Sequence, residues 1–236
     1  MSILSSWLHD VGAMLFPPTC AVCGRALVRG ERMICTPCRA SAPLTEYWRR
    51  SENPLARRFY GLLPIVEASA FLFYRRASLW RRPILAFKYR KQWRLAQELG
   101  RWYGAELAAS GLYDGIEVVI PLPLHPLKQL LRGYNQTACL AEGIAEALGA
   151  TVDRRALRRV RYTRTQARLS QRDRDRNVAG AFRVKAPERL QGRHLLLVDD
   201  VLTTGSTLLA AGEAIVQAVP DCRISIATLC LTDNLY

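Results

Sequence analysis

This sequence has few acidic residues relative to its basic ones, and it has no long apolar run. Its 236 residues include 20 Asp and Glu against 34 Lys and Arg, so the formal net charge is +14. This excess favours anionic partners, such as phosphorylated small molecules, nucleic acid or an acidic membrane surface, without choosing among them. No stretch is long and apolar enough to span a bilayer. Residues 1–16 also lack the Lys and Arg of a secretory signal, so we expect a cytoplasmic protein without a membrane span.

Cysteine, in contrast, is well represented and regularly spaced. Four of the seven cysteines form two Cys-x-x-Cys pairs, Cys20 with Cys23 and Cys35 with Cys38. Four thiolates are the ligand set of a tetrahedral structural zinc site, which has no open position for catalysis. A redox dithiol and two disulfides are the alternatives, although neither pair has the strand-to-helix context of a thioredoxin-like motif. We therefore predict a zinc ribbon that serves folding, and we interpret the other three cysteines as small hydrophobic residues.

The most informative stretch lies near the C-terminus. Leu195–Val198 is an apolar run typical of a strand buried on both faces of a parallel sheet. Two carboxylates, Asp199 and Asp200, end the strand, and a hydroxyl-rich turn with Gly205 leads into a helical pattern. The free backbone N–H groups at such a helix start suit a phosphate, whereas the acidic pair would repel it. We expect the acidic pair to face sugar hydroxyls or a bridging metal; the alternative is an ordinary capped helix.

The remaining pattern alternates strands and helices, which predicts an α/β fold with an open, mostly parallel sheet. A proline-rich turn, Pro121–Pro126, ends one of these strands, and His125 within it is as much a turn residue as a catalytic candidate. The predicted strands are Ile65–Tyr74, Ile116–Ile120, Val152 with Leu157–Val160, Gly180–Val184 and Arg223–Leu231; the predicted helices are Leu79–Ala109, Thr137–Leu148 and Leu208–Val219.

Two regions concentrate positive charge. Residues 80–94 interleave basic residues with aromatic ones, a pattern that can hold single-stranded nucleic acid by charge and stacking. The alternative, which we favour, is a solvated helix face whose aromatic residues belong to the core. Residues 161–176 carry six arginines and few apolar residues, which indicates a loop that closes over a polyanion. A solubilising helix or a nucleic-acid patch are the other interpretations of this segment.

Several motifs in order along nearly the whole chain resemble the ComF/GntX family. These are the four-cysteine module, the Arg-Gly-Tyr-Asn-Gln stretch at residues 132–136, Arg-Thr-Gln at 164–166, Arg-Asn-Val-Ala-Gly-Ala-Phe at 176–182, and the Leu195–Thr207 stretch. Leu195–Thr207 resembles the phosphoribosyl-pyrophosphate (PRPP) loop of type I phosphoribosyltransferases. Members of the family often carry a second pair of cysteine pairs, and residues 39–64 contain no cysteine. The resemblance therefore implies a type I phosphoribosyltransferase fold, with helices flanking the sheet and one small N-terminal zinc ribbon.

The resemblance also implies roles for individual residues. A nucleophile would displace magnesium-bound pyrophosphate from ribose C1 through an oxocarbenium-like transition state, which is a pentosyl transfer. Positioning of the reactants and charge stabilisation would supply most of the catalysis. The implied catalytic residues are Asp199, Asp200, Arg164 and Arg176. The implied PRPP-binding residues are Asp199, Asp200, Val201, Thr203, Thr204, Gly205, Ser206, Thr207, Arg132, Asn135, Gln136 and Arg168. Magnesium would be held by sugar and phosphate oxygens with water, without a dedicated protein cage.

Three functions are compatible with these residues. The first is a phosphoribosyltransferase that binds PRPP with Mg²⁺ and uses an acceptor that the sequence does not identify. The second is a single-stranded-DNA-handling accessory protein in natural transformation, in which the PRPP loop serves binding or regulation only. The third is a PRPP sensor without turnover. For each of the three we expect residues 1–60 to form an N-terminal helix, ribbon and linker, and residues 61–236 to form the phosphoribosyltransferase-like domain.

Overall fold

A computed structural model describes residues 17–89, 92–124, 129–130, 133–160 and 180–232. The predicted N-terminal helix, His125 and Arg132 lie outside these residues, as do Arg164, Arg168 and Arg176. Within the described part of the chain, no helix is long and apolar enough to cross a membrane.

The centre of the molecule is a five-stranded sheet in which every neighbouring pair of strands is parallel. Its strands are β1 (Ile65–Tyr74), β2 (Val118–Pro121), β3 (Thr151–Val152), β6 (His194–Leu202) and β7 (Arg223–Thr232), in the spatial order β1-β7-β6-β2-β3. An antiparallel pair, β4 (Leu157–Arg159) with β5 (Phe182–Val184), stands apart from this sheet. The predicted parallel α/β fold is confirmed, and β6 occupies the central position that its apolar sequence indicated.

Five helices accompany the strands in the described residues: α1 (Thr36–Ala40), α2 (Arg81–Tyr89), α3 (Trp93–Ser110), α4 (Gln136–Leu148) and α5 (Ser206–Ala218). The alternation of buried side chains along β6 gives the sheet two apolar faces. Leu196 and Val198 join the core beneath α2, α3, α4 and the cysteine module, whereas Leu195 and Leu197 join the core beneath α5. The sheet is therefore covered on both sides, as a parallel sheet requires.

Helices α3 and α4 cross at a pair of glycines. A Cβ atom built at Gly100 would lie 2.2 Å from the carbonyl oxygen of Leu140, and one at Gly143 would lie 2.1 Å from that of Gln97. Both distances are far below van der Waals contact, so only glycine permits this approach. The crossing fixes α4, whose N-terminus lies at the candidate site described below. The sequence prediction of one long helix over Leu79–Ala109 is replaced by α2 and α3.

The segment after the cysteine module, which we predicted as a linker, packs against the sheet. The backbone N–H of Thr45 donates to the carbonyl of Phe71 at 3.0 Å, and the Trp48 ring lies 5.4 Å from the Phe71 ring. Asn53 is buried, and its amide nitrogen donates to the carbonyl of Ala68 in β1 at 2.8 Å. Side-chain and backbone contacts thus join this segment to β1. The domain boundary near residue 60 stays a prediction.

Candidate functional site

The acidic pair ends β6 at the carboxyl edge of the parallel sheet. Asp200 is 8% exposed, and Asp199 is half-buried next to it. One carboxylate oxygen of Asp199 accepts a hydrogen bond from the backbone N–H of Asp200 at 2.8 Å. This edge of an open α/β sheet is where ligands bind, because strand ends and helix starts meet there. The two carboxylates therefore lie at the end of a buried parallel strand, as the sequence predicted.

A lysine from α2 compensates the charge of this pair. The Nζ atom of Lys88 lies 3.0 Å from the Oδ2 atom of Asp200, and both side chains are largely buried. Burial alone lowers the pKa of Lys88, but the attraction of Asp200 and then of Asp199 outweighs it and raises that pKa. Lys88 is therefore a cation at neutral pH and lies in ion-pairing contact with Asp200.

Two residues of the Arg-Gly-Tyr-Asn-Gln stretch connect the start of α4 to neighbouring parts of the site. The amide nitrogen of Gln136 donates to Asp200 Oδ2 at 2.9 Å, and no described residue donates to the buried Oε1 atom of Gln136. Asn135 caps α4 by accepting from the N–H of Thr137 and donates to the carbonyl of Leu122 at 3.1 Å. The stretch thus fastens the start of α4 to the acidic pair and to the turn after β2.

The surroundings of Asp199 raise its affinity for protons. Burial, followed by the negative charge of Asp200, raises the pKa of Asp199 to about 7. The N–H of Asp200, Lys88 and Arg159 act in the opposite direction but do not cancel this increase. Asp199 therefore titrates near neutral pH, beside a second carboxylate, Asp200, that forms an ion pair with Lys88.

The turn after the pair, at the start of α5, has the features of an anion cradle. Gly205 has φ +89°, a left-handed conformation that a residue with a side chain rarely adopts. The hydroxyls of Thr204 and Ser206 are 2.8 Å apart, and the carbonyl of Thr203 accepts from Arg58 at 3.4 Å. Thr203 is exposed and Thr207 is half-buried. Hydroxyl donors, the N–H groups of the first turn and the helix dipole converge here, which suits a phosphate group.

The structure brings together a subset of the site residues that the resemblance implied. Residues 199–207 form one edge, with Gln136 in direct contact and Asn135 one residue away. The four arginines implied for the site, Arg132, Arg164, Arg168 and Arg176, lie outside the described residues. Sequence reasoning assigned Lys88 to a general basic cluster and missed its contact with Asp200. A signal was present, because Lys88 follows Ile84 by four residues and so shares the buried face of a helix.

Of the aromatic residues near Lys88, Trp80 and Phe87 are buried in the core, as we favoured, whereas Trp93 is 45% exposed. The hydroxyl of Tyr134 donates to the carbonyl of Phe87, so the Arg-Gly-Tyr-Asn-Gln stretch also supports the end of α2.

The four paired cysteines converge as predicted. Their sulfur atoms all lie within 4.8 Å of one another, and those of Cys23 and Cys35 are 3.8 Å apart. Tetrahedral zinc with Zn–S bonds of about 2.3 Å places its sulfurs about 3.8 Å apart, so the cluster fits that ion. Burial raises the pKa of Cys20, but hydrogen bonds from the N–H groups of Cys23, Cys35 and Val22 outweigh it and lower the pKa to about 6. A thiolate is the form that binds zinc.

Comparisons with known proteins agree with this architecture. Residues 138–235 match the phosphoribosyl transferase domain, and residues 11–48 match the double zinc ribbon domain. The matched ribbon segment contains a single set of four cysteines. The fold and the acidic edge therefore define a type I phosphoribosyltransferase-like protein that carries an N-terminal zinc ribbon.

Relatives extend the similarity over most of the chain. The DNA utilization protein YhgH of Shigella flexneri is 33% identical over 214 residues, which cover 86% of this chain and 89% of that protein. YhgH of Salmonella typhimurium is 36% identical over 146 residues, and this alignment spans 63% of the Salmonella protein. Competence protein F of Haemophilus influenzae is 40% identical over 93 residues, 39% of this chain and 41% of that protein. The chain belongs to the ComF family.

Proposed function

We propose that the protein binds PRPP with Mg²⁺ at the carboxyl edge of β6 and transfers its phosphoribosyl group to an acceptor. The observation that carries this proposal is the acidic pair, with Lys88 and Gln136 on the buried Asp200, directly before the hydroxyl-rich turn that begins α5. The phosphoribosyl transferase domain match over residues 138–235 supports the same assignment. A plain helix cap needs neither the adjacent carboxylates nor the buried lysine.

Each group at this edge has a part in binding. The carboxylates of Asp199 and Asp200 accept hydrogen bonds from the ribose 2′- and 3′-hydroxyls, and the turn Thr203–Thr207 receives the 5′-phosphate through backbone N–H groups and hydroxyls. The unpartnered Oε1 atom of Gln136 is a further acceptor for a ribose hydroxyl. Lys88 pairs with Asp200 and offsets the negative charge of the pair.

The same groups suit a transition state with positive charge at ribose C1. The negative charge of the acidic pair lies on a partly buried sheet edge, where electrostatic stabilisation is stronger than in water. Fixing the ribose and its phosphate contributes the positioning that most of this catalysis requires. Mg²⁺ supplies charge neutralisation for the leaving pyrophosphate, and the oxygen donors here suit a hard cation that arrives with its phosphate ligands.

Calorimetric titration of PRPP with Mg²⁺ into the zinc-loaded protein tests this proposal. We expect saturable binding to the wild type and a loss of about tenfold or more in the Asp199→Asn, Asp200→Asn double variant, since each variant removes a charged acceptor. An Asp114→Asn variant, which changes an exposed acid, is the matched control. The proposal fails if the folded wild type does not bind PRPP, or if the double variant binds as well as the control.

A second candidate function, the binding of single-stranded nucleic acid, is favoured by a groove between the cysteine module and α2–α3. This cavity of about 810 Å³ is lined by Arg82, Trp93 and Arg94 together with residues of the module. Trp93 is 45% exposed, and the Arg94 guanidinium lies 5.1 Å from its ring. An exposed ring beside cations can stack a base and contact a phosphate, and the relatives carry the names DNA utilization protein and competence protein.

Titration of the protein into a labelled short oligothymidylate, followed by fluorescence anisotropy across a salt series, tests this second function. We expect affinity to fall steeply with salt, because phosphate contacts release counterions. A Trp93→Leu variant should lose about tenfold in affinity, measured by anisotropy of a labelled oligonucleotide. No binding at low salt, or unchanged binding by the variant, argues against this role.

A further inference from the structure

A second concave site lies beside the acidic edge and is strongly basic. It is a cavity of about 510 Å³ between the turn after β2 and the segments that flank the β4–β5 pair. We call it the basic pocket. Its apolar lining includes Pro123, Leu124 and Leu157. Its cations are Arg154, Arg155, Arg158, Arg159, Lys185 and Arg189.

Most of this charge has no carboxylate partner in the described part of the chain. Arg154 pairs with Glu142 on α4. The one acid in the lining, Asp153, uses its Oδ1 atom to cap the backbone N–H groups of Arg155 and Ala156, at 2.8 and 2.9 Å. Among the described residues, no carboxylate oxygen lies within 4 Å of the side-chain nitrogens of the other exposed cations, which are Arg155, Arg158, Lys185 and Arg189.

The basic pocket is close to the acidic pair but does not include it. Arg159 lines the pocket, and its charge acts on that of Asp199. The turn after β2 is held by a hydrogen bond from the N–H of Leu122 to the carbonyl of Val198, which fixes this side of the pocket to the central strand. Neither Asp199, Asp200 nor the Thr203–Thr207 turn contributes to the lining. A ligand could therefore occupy the pocket while another molecule occupies the acidic edge.

Charge and shape together indicate the chemistry of the ligand. Cations on a convex surface are normally solvated and need no partner, but several of them around one cavity repel each other. An anion that bridges them relieves this repulsion, and guanidinium groups offer paired donors to phosphate oxygens. The apolar lining and a volume in the range of small-molecule sites favour an anion with an organic body over an inorganic ion.

We propose that the basic pocket is a second ligand site, separate from the acidic edge, and that it binds the phosphate group of a nucleotide-sized phosphate ester. A free nucleotide and the terminal nucleotide of a single strand share this chemistry. The phosphate lies among Arg155, Arg158 and Lys185, and the organic part lies on the apolar lining.

Titrations of the full, zinc-loaded chain test the site with thymidine 5′-monophosphate, thymidine and a short oligothymidylate as probes. The variant reverses two pocket charges, Arg158→Glu with Lys185→Glu. The control, Arg29→Glu with Arg76→Glu, makes the same change of net charge at exposed residues that do not line the pocket. Thermal unfolding of each variant verifies that it is folded.

We expect the monophosphate to bind saturably and thymidine to bind at least about tenfold more weakly, because the phosphate supplies the charged contacts. The pocket variant loses about tenfold or more in affinity for the monophosphate, whereas the control stays within about twofold of the wild type. Tighter binding of the oligothymidylate with the same loss in the pocket variant supports the site and identifies a nucleic-acid strand as its source of phosphate.

In these titrations, three results overturn the proposal: no binding of either phosphate-bearing probe at low salt, an equal loss in the control variant, or an equal affinity for thymidine. PRPP titrations of the same variants separate this site from the acidic edge. Unchanged PRPP binding by the pocket variant supports a separate site, and a parallel loss of PRPP binding contradicts it. Loss of PRPP binding in the Asp199→Asn, Asp200→Asn variant with retained monophosphate binding leaves this proposal standing, so failures of the two proposals are distinguishable.

Discussion

The cysteine cluster and the acidic pair both gather side chains that are negative when ionised, and the molecule compensates them in different ways. The four sulfurs of the cysteine cluster all lie within 4.8 Å of one another, and this geometry fits an external cation. The acidic pair has an internal cation, since Lys88 lies 3.0 Å from Asp200. The cluster is therefore a closed site that serves folding, whereas the pair is charged before any ligand arrives.

One helix connects the two regions. Near its start, Arg82 donates to the carbonyl of Val22 in the cysteine module at 3.4 Å. At its other end, α2 carries Lys88 to the acidic pair. The cysteine module can therefore influence the acidic edge through the position of α2. Among the described residues, the module itself contributes no group to that edge.

The largest expected effect comes from removing the external cation. Chelation of zinc, or Cys35→Ser, should unfold the cysteine module, because metal-binding free energy is folding free energy in such modules. Hydrogen exchange of residues 19–38 should lose its protection, and metal analysis of the intact protein should give one zinc per chain. Cys139→Ser, outside the cluster, is the control. Retained protection after chelation, or two zinc ions per chain, would contradict the prediction that one external cation holds the cysteine module together.

Removing the internal cation should have the next largest effect. Lys88→Met leaves Asp200 buried without its charge partner, and loss of one member of a buried pair costs about 3 kcal/mol. Urea unfolding measures this change in the free energy of unfolding. Lys185→Met, at an exposed lysine, should change it by less than about 0.5 kcal/mol. Equal stabilities of the two variants would show that Lys88 does not compensate the pair.

The acidic pair should also make stability depend on pH. The pKa of Asp199 rises from 3.8 to about 7 on folding, so the folded chain keeps a proton that the unfolded chain releases between these values. This contribution is fully present below pH 3.8 and is lost as the pH rises through 7. Asp199→Asn should therefore be more stable than the wild type by about 1–3 kcal/mol at pH 8.

The advantage of Asp199→Asn should shrink at pH 5 and vanish near pH 4, as measured by urea unfolding across the series. Asp114→Asn, at an exposed acid, should show no such trend. A constant difference between wild type and Asp199→Asn at every pH would contradict the assigned proton affinity.

The smallest expected effect concerns the connection through α2. Arg82→Gln removes the hydrogen bond to Val22 and should cost about 0.5–1 kcal/mol. Hydrogen exchange of the cysteine module should increase slightly, with a weaker change at the acidic pair. Arg81→Gln, at the exposed neighbouring position, should leave both regions unchanged. Identical exchange in the two variants would remove the proposed connection.

The sequence predicted most of the sheet because its signals are local. The apolar run before Asp199 is long enough to identify a strand buried on both faces, and the spacing of the cysteines identifies the ribbon. The packing of Trp48 and Asn53 against β1 was missed, because a polar segment with prolines resembles a linker when its contacts are distant in sequence.

The site was only partly predictable for a related reason. Asp199, Asp200 and the following turn are contiguous, so one motif identifies them. Lys88 lies far away in the sequence, and a lysine in a helix usually faces solvent. The spacing from Ile84 indicates the buried helix face, but the pairing of Lys88 with Asp200 depends on the packing of α2 on the sheet, which that spacing does not encode. The basic pocket likewise arises from segments around β2, β4 and β5 that meet only in the folded chain.

A crystal structure of the zinc-loaded protein with PRPP and Mg²⁺ tests the central claim most directly. The account predicts the ribose hydroxyls within about 3 Å of the carboxylates of Asp199 and Asp200, and the 5′-phosphate in the Thr203–Thr207 turn. It also predicts that Lys88 stays on Asp200. PRPP bound in the groove beside Trp93, or an acidic edge without ligand at saturating PRPP, would contradict the account.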